Sequence, residues 1–260
     1  SIACCQKWFP DKRGMISGII VSALGFGGVI FTPVARALIK AIGQGQEGIG
    51  ELWTFAILAG IFLVVCTVGG LFIVDPPKGY APKGWTPPAP KPGVFVQHFT
   101  TSEMVKTPQF YIITISFMLA CMAGLMMIGL ASQIAIAKGI DVEVAAVGVM
   151  IIAITNSFGR LFWGWMSDKL GRKNTIFALL VATAILILVV NFVSGYWIFV
   201  LIALIGFAYG GFLGNFPAIT ADYFGSKNMS MNYGVVLLGF GVGAVASSYI
   251  GGYFKDVAAN

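Results

Sequence analysis

Charge is scarce in this chain of 260 residues: Asp, Glu, Lys and Arg make up 10% of it, against 58% hydrophobic residues. A soluble protein could not solvate the surface that such a composition leaves. Histidine is rarer still. The single His98 stands in a polar stretch, which excludes sites built from several imidazoles. Cys4, Cys5, Cys66 and Cys121 lie in or beside apolar segments without metal-ligand spacing, and read as small packing residues. No acidic residue falls within any long apolar run. That removes the carboxylate clusters and nucleophile–base pairs an intramembrane enzyme requires, so no catalytic residue, cofactor or metal is expected. No signal peptide is visible. The chain begins at Ser1, without methionine, on what reads as the tail of an earlier helix, and is expected to be a piece of a longer protein.

What the chain does have is long apolar runs. Seven are present: Gly14–Ala35, Leu52–Val74, Phe110–Ala137, Val144–Met166, Thr175–Val193, Trp197–Ala221 and Tyr233–Phe254. About 20 residues of helix cross roughly 30 Å of hydrocarbon. Membrane strands would be half as long and would alternate in polarity, which these runs do not. The expected fold class is all-α, a polytopic membrane protein with seven transmembrane helices.

The net charge of +6 follows topology. Counting loops alternately, eleven Lys and Arg fall on one side and four on the other. The rich side is cytoplasmic by the positive-inside rule, so no nucleic acid need be invoked. Between the second and third runs the composition changes to PPKGYAPKGWTPPAPKPG, too rich in proline for helix or sheet. Thr100 and Glu103 then have capping-box spacing, and Pro108 suits the first turn of the next span. Three regions are expected: 1–74 with two spans, a cytoplasmic linker at 75–109, and 110–260 with five spans.

Small residues recur at four-residue spacing: Gly14 and Gly18; Gly206, Gly210 and Gly214; Gly239, Gly243, Ser247 and Gly251. In lipid, where apolar side chains gain little by meeting, such stripes let helix backbones approach. GFGVGA at 239–244 is read the same way, because it lies inside an apolar run and follows no strand. Pro33 and Pro217 fall inside spans and are expected to kink or break them.

One residue breaks the pattern. Arg160 is the only charge between Val144 and Met166. A guanidinium near mid-bilayer costs roughly 2.5–3.5 kcal/mol on insertion scales, and usually faces a cavity or a counter-charge. With no acid in any run, the implied ligand is an anion. The alternative is a side chain that snorkels to the inner interface. The backward tilt of Cα–Cβ bonds favours the cavity, since this span runs from outside to inside.

After Arg160 the chain reads Gly164-Trp165-Met166-Ser167-Asp168-Lys169-Leu170-Gly171-Arg172-Lys173. Asp168 can pair with a basic residue or sit against a helix N-terminus, Gly171 permits a tight turn, and Arg172 and Lys173 can anchor at the inner surface. Position by position this resembles the G-x-x-x-D-[RK]-x-G-[RK]-[RK] loop of the major facilitator superfamily. KWFPDKRGMISG, KTPQF, GRLFWGWMSDKLGR and FG-x5-MNYG resemble the oxalate/formate antiporter and monocarboxylate transporter branch of that family. The resemblance covers nearly the whole chain and implies helices 5 through 11 of a twelve-helix transporter.

It also implies roles. Arg160 would bind substrate carboxylate, with Asn156 one turn earlier on the same face. Where animal-type relatives often carry a titratable Asp, Asn156 cannot titrate. Phe240 stands where oxalate-type antiporters carry a second cation, so a monocarboxylate suits the chain better than a dianion. Tyr209 offers a phenol at similar depth. The expected function is secondary transport of small organic anions by alternating access in the cell (inner) membrane. The expected partners are a small organic carboxylate, the lipid bilayer and the missing helices of the same polypeptide. A dicarboxylate exchanger, a receptor and a channel are the alternatives.

Overall fold

The apolar runs become helices, because a chain in hydrocarbon must satisfy its backbone hydrogen bonds within each segment. The computed structural model describes residues 1–43, 48–77, 79–82, 84 and 98–259. Among them there are helices and no strands: α1 (Ile2–Trp8), α2 (Arg13–Gly43), α3 (Ile49–Leu71), α4 (Thr101–Met104), α5 (Pro108–Ala137), α6 (Val142–Leu170), α7 (Arg172–Val190), α8 (Trp197–Phe224) and α9 (Met229–Ala259). Six of them, α2, α3, α5, α7, α8 and α9, are long and apolar enough to cross a membrane. The seventh expected span lies within the 29 residues of α6, several of whose side chains fall outside the described set. Most of the Pro-rich linker lies outside the described residues.

Helix α8 is the axis of the bundle, with α2, α5, α6, α7 and α9 packed around it. Two apolar clusters stack along it. Phe117, Leu179, Phe212, Phe216 and Phe224 fill the end that carries the Lys-rich loops. Met127, Ile152, Ile198, Ile202 and Ile205 fill the other. Helix α3 packs on α2 and leaves most of its apolar surface uncovered, as at Phe55, 73% exposed, and Leu63, 70% exposed. Exposure on that scale suits lipid or further helices, not water.

The local signals hold at their positions. Thr100 accepts the Glu103 N–H and Glu103 accepts the Thr100 N–H, closing the capping box on α4. Those bonds from the Thr100 N–H and hydroxyl hold the Glu103 carboxyl below the usual carboxylate range. Thr107 caps α5 through the Phe110 N–H, with Pro108 in the first turn. Gly171 takes φ 85°, a left-handed conformation that lets α6 end and α7 begin within one residue. The prolines differ from expectation in degree: Pro33 and Pro217 lie inside continuous helices and break neither. Membrane-spanning helices tolerate proline where neighbouring groups or local adjustment satisfy the freed carbonyl.

Candidate functional site

The site is built where glycines remove side chains from two helix seams. On one flank of α6, an added Cβ at Gly18 of α2 would collide with the Arg160 carbonyl, and one at Gly14 with the Gly164 carbonyl. On the other, a Cβ at Gly210 of α8 would strike the Asn156 carbonyl, and one at Gly214 would come within 2.8 Å of the Arg160 carbonyl. Helix α6 is thus held at backbone distance from both α2 and α8 at the level of Arg160.

Arg160 spans the first seam. Its Nε donates to Asn156 Oδ1 at 2.9 Å, one turn back toward mid-helix, and its Nη1 donates to the Val21 carbonyl of α2 at 2.5 Å. The side chain therefore turns away from the Lys-rich end, as the tilt of its Cα–Cβ bond requires. A guanidinium carries five N–H donors. Two are engaged, and both donors on Nη2 lack a protein partner among the described residues. None of the ion pairs among those residues involves Arg160. A half-buried cation without a counter-charge, offering free planar donors, is chemically suited to a carboxylate.

Asn156 is 6% exposed and works in two directions. Its Oδ1 takes the Arg160 Nε–H, while its Nδ2 donates to the Gly206 carbonyl of α8 at 3.2 Å. Both polar atoms are thus occupied by the protein, and the amide sets the arginine's position. Tyr209 of α8, 4% exposed, lays its ring on α5 at Gly124. The phenols of Tyr209 and Tyr233 both lie in electrostatic range of the guanidinium. Phe240 belongs to the aromatic wall, its ring 6.1 Å from that of Phe117, which stacks on Phe216 at 4.2 Å. The structure therefore gathers Arg160, Asn156 and Tyr209, and sets Phe240 in the apolar cluster that Tyr209 shares.

At the Lys-rich end the loop motif closes the α2–α6 seam. Asp168 accepts the backbone N–H of Gly14 at 3.0 Å and of Met15 at 2.8 Å, capping the first turn of α2. Arg172 pairs with the same carboxylate at 2.5 Å, donates to Ser167 and reaches Asp222 of α8 at 3.0 Å. Arg13 completes the latch with Asp222 at 2.9 Å. Lys169 lies over the Trp165 ring at 4.0 Å, and Lys173 lines a cavity between α5, α7 and α8.

Sequence reasoning missed Asp222, Arg13 and Tyr233. Asp222 could have been found, as the one acid at the end of the α8 run, opposite the basic loop. The Val21 carbonyl could not, since any residue supplies one.

The sequence pattern of the Major Facilitator Superfamily matches residues 113–257. The MFS-type transporter YhjX of Escherichia coli K12 is 32% identical over 251 residues, covering 94% of this chain and 58% of that protein. The oxalate:formate antiporter of Oxalobacter formigenes is 27% identical, with 98% of this chain and 58% of the antiporter covered. Monocarboxylate transporter 12-B of Danio rerio is 23% identical, with 98% and 58% covered. The chain spans little more than half the length of these relatives.

Proposed function

Because the chain belongs to the Major Facilitator Superfamily, a family of membrane transporters and not of enzymes, we propose that it forms part of a carrier for small organic anions, monocarboxylates foremost. It is a multi-pass membrane protein. In this reading, residues 1–74 close the N-terminal bundle, 75–109 link the halves on the cytoplasmic side, and 110–260 belong to the C-terminal bundle. The two halves rock about a central site, exposing it to each side in turn.

One observation carries the substrate class. Among the described residues, Arg160 is a half-buried cation without an acid partner, and neither Nη2 donor has a protein acceptor. Asn156 fixes the plane of the fork and acts as a positioning residue. Tyr209 and Tyr233 lie in electrostatic range of the guanidinium, and Phe240 packs on the apolar cluster that Tyr209 shares. A single carboxylate on a small apolar body matches one cation beside an aromatic wall. The oxalate-type reading draws on the similarity to the oxalate:formate antiporter and requires a second cation from elsewhere in the full-length protein.

The test is uptake by the full-length protein in proteoliposomes. Losing one charge-assisted hydrogen bond costs about 1.5–3 kcal/mol, on the order of tenfold to a hundredfold in affinity. Arg160→Lys keeps the charge but not the fork, and should raise the half-saturating carboxylate concentration by that factor. Arg160→Gln should insert normally and transport almost nothing. Normal uptake by Arg160→Gln at equal expression would refute the assignment.

A further inference from the structure

A cavity that Arg160 does not line opens on the side of the bundle. It lies between α5, α7 and α8 at the Lys-rich end and encloses about 620 Å³, within the roughly 300–1,000 Å³ typical of ligand pockets. Its inner wall is apolar, formed by Ile113, Ile176 and Phe216, all buried. Its mouth is flanked by Ile112, 65% exposed, and Phe177, 68% exposed.

Apart from the Ser116 hydroxyl farther along α5, the polar lining gathers at one end. Lys173, Asn174, Gln109 and Tyr223 line the cavity where α5 and α7 begin and α8 ends. No acid lines it. Asp222, next in sequence to Tyr223, is already held by Arg13 and Arg172. Lys173 takes part in no ion pair among the described residues. The groove thus joins an apolar trough along membrane-spanning helices to a cationic rim, rich in hydrogen-bond donors, at the ends of those helices.

We propose that this groove seats an anionic phospholipid. One acyl chain lies against Ile113, Ile176 and Phe216, and the phosphate rests on Lys173 with donors from Gln109, Asn174 and Tyr223. A small soluble anion would use the rim and leave the trough empty, and a zwitterionic lipid would gain the trough with little from the charge. Basic pockets between membrane helices on the cytoplasmic side hold anionic headgroups in this way. The leaflet is the cytoplasmic one under the topology proposed above. The lipid site itself does not depend on what the carrier transports.

The experiment is native mass spectrometry of the full-length protein in detergent, titrated with phosphatidylglycerol or phosphatidylcholine of matched chains. Phosphatidylglycerol should be retained at about fivefold lower concentration, as one lysine near an anionic headgroup provides. Lys173→Gln should remove that preference, and Lys173→Glu should reverse it. Ile112→Trp, which crowds the mouth without touching the buried wall, should weaken retention of both lipids. Lys227→Glu removes an exposed lysine of the same end that does not line the groove, and should leave the preference intact. Equal retention of the two lipids by the unaltered protein would overturn the proposal. So would a loss from Lys227→Glu equal to that from Lys173→Glu, or retention indifferent to Ile112→Trp. Uptake plays no part in the readout, so failure here and failure of the transport reading remain separate.

Discussion

Replacing Asp168 by asparagine keeps the shape of the latch and removes its charge. The carboxylate, 13% exposed, receives two backbone N–H groups of α2 and the Arg172 guanidinium. An asparagine can accept one of those N–H groups through its oxygen. Its amide nitrogen then faces donors from the other N–H or from Arg172. One charge-assisted bond is lost and a second becomes neutral, at about 1.5–3 kcal/mol for a full loss. A net of about 2 kcal/mol, lightly discounted for exposure, amounts to roughly thirtyfold in the equilibrium between closed and open forms of this end. Ser17, fully buried beside the latch, is the reporter position. In a background lacking the four native cysteines, Ser17→Cys should react with maleimide about thirtyfold faster once Asp168→Asn is added, with Asp168→Glu in between. An unchanged labelling rate would show that the carboxylate does not hold the seam shut.

Packing at the glycine seams gives a further test. Gly210→Val pushes a side chain into the Asn156 carbonyl and should destabilise the protein in detergent by about 1–3 kcal/mol. Gly241→Ala meets nothing within 4 Å and should leave the melting temperature unchanged or higher. Phe240→Lys should shift competition from lactate-sized monocarboxylates toward oxalate in uptake assays; no shift would remove Phe240 from the specificity argument. Cysteines at Lys83 and Gly139 should label from opposite faces of intact cells, and labelling of both by an impermeant reagent from outside would contradict the topology. The bonds from Thr100 hold the Glu103 carboxyl low, so the cap on α4 is complete above the ordinary carboxylate range. It is lost as pH falls through the lowered value. Glu103→Gln should therefore speed amide exchange at Thr100 near neutral pH and have little effect in acid.

The legible parts of this chain are those a single segment determines. Helix positions follow from apolar length, and the α4 and α5 caps from residues three apart. Arg160 stands out because nothing around it in sequence is charged. The turn at Gly171 and the possibility of an Asp168 cap are equally local. The roles that escaped depend on what another helix brings. Asn156 sits one turn before Arg160, so their bond is readable, but its hold on the Gly206 carbonyl is not. Asp222 looks like the border of a span until Arg13 and Arg172 are placed beside it. Tyr233 belongs to a sequence motif, and only the bundle brings it into electrostatic range of the guanidinium.

The two glycine seams of α6 look alike and behave as different mechanical joints. Between α6 and α8, side chains cross the gap to backbone carbonyls: Asn156 to Gly206, and Asn215 to Trp163 at 3.3 Å. Sliding these helices breaks buried hydrogen bonds, so they travel as one body. Between α2 and α6 the glycines receive small knobs, Ser157 of α6 against Gly25 and Ser167 against Gly14. Neither hydroxyl donates across the seam, because each returns to a carbonyl of its own helix. Among the described residues, side-chain hydrogen bonds fasten that joint at two points, the Asp168 latch at its end and Arg160 on the Val21 carbonyl along its length. The second fastener draws on the same guanidinium that is free to take an anion. One side chain therefore belongs to both the joint and the candidate site: its Nη1 holds α2 while its Nη2 donors stay open among the described residues.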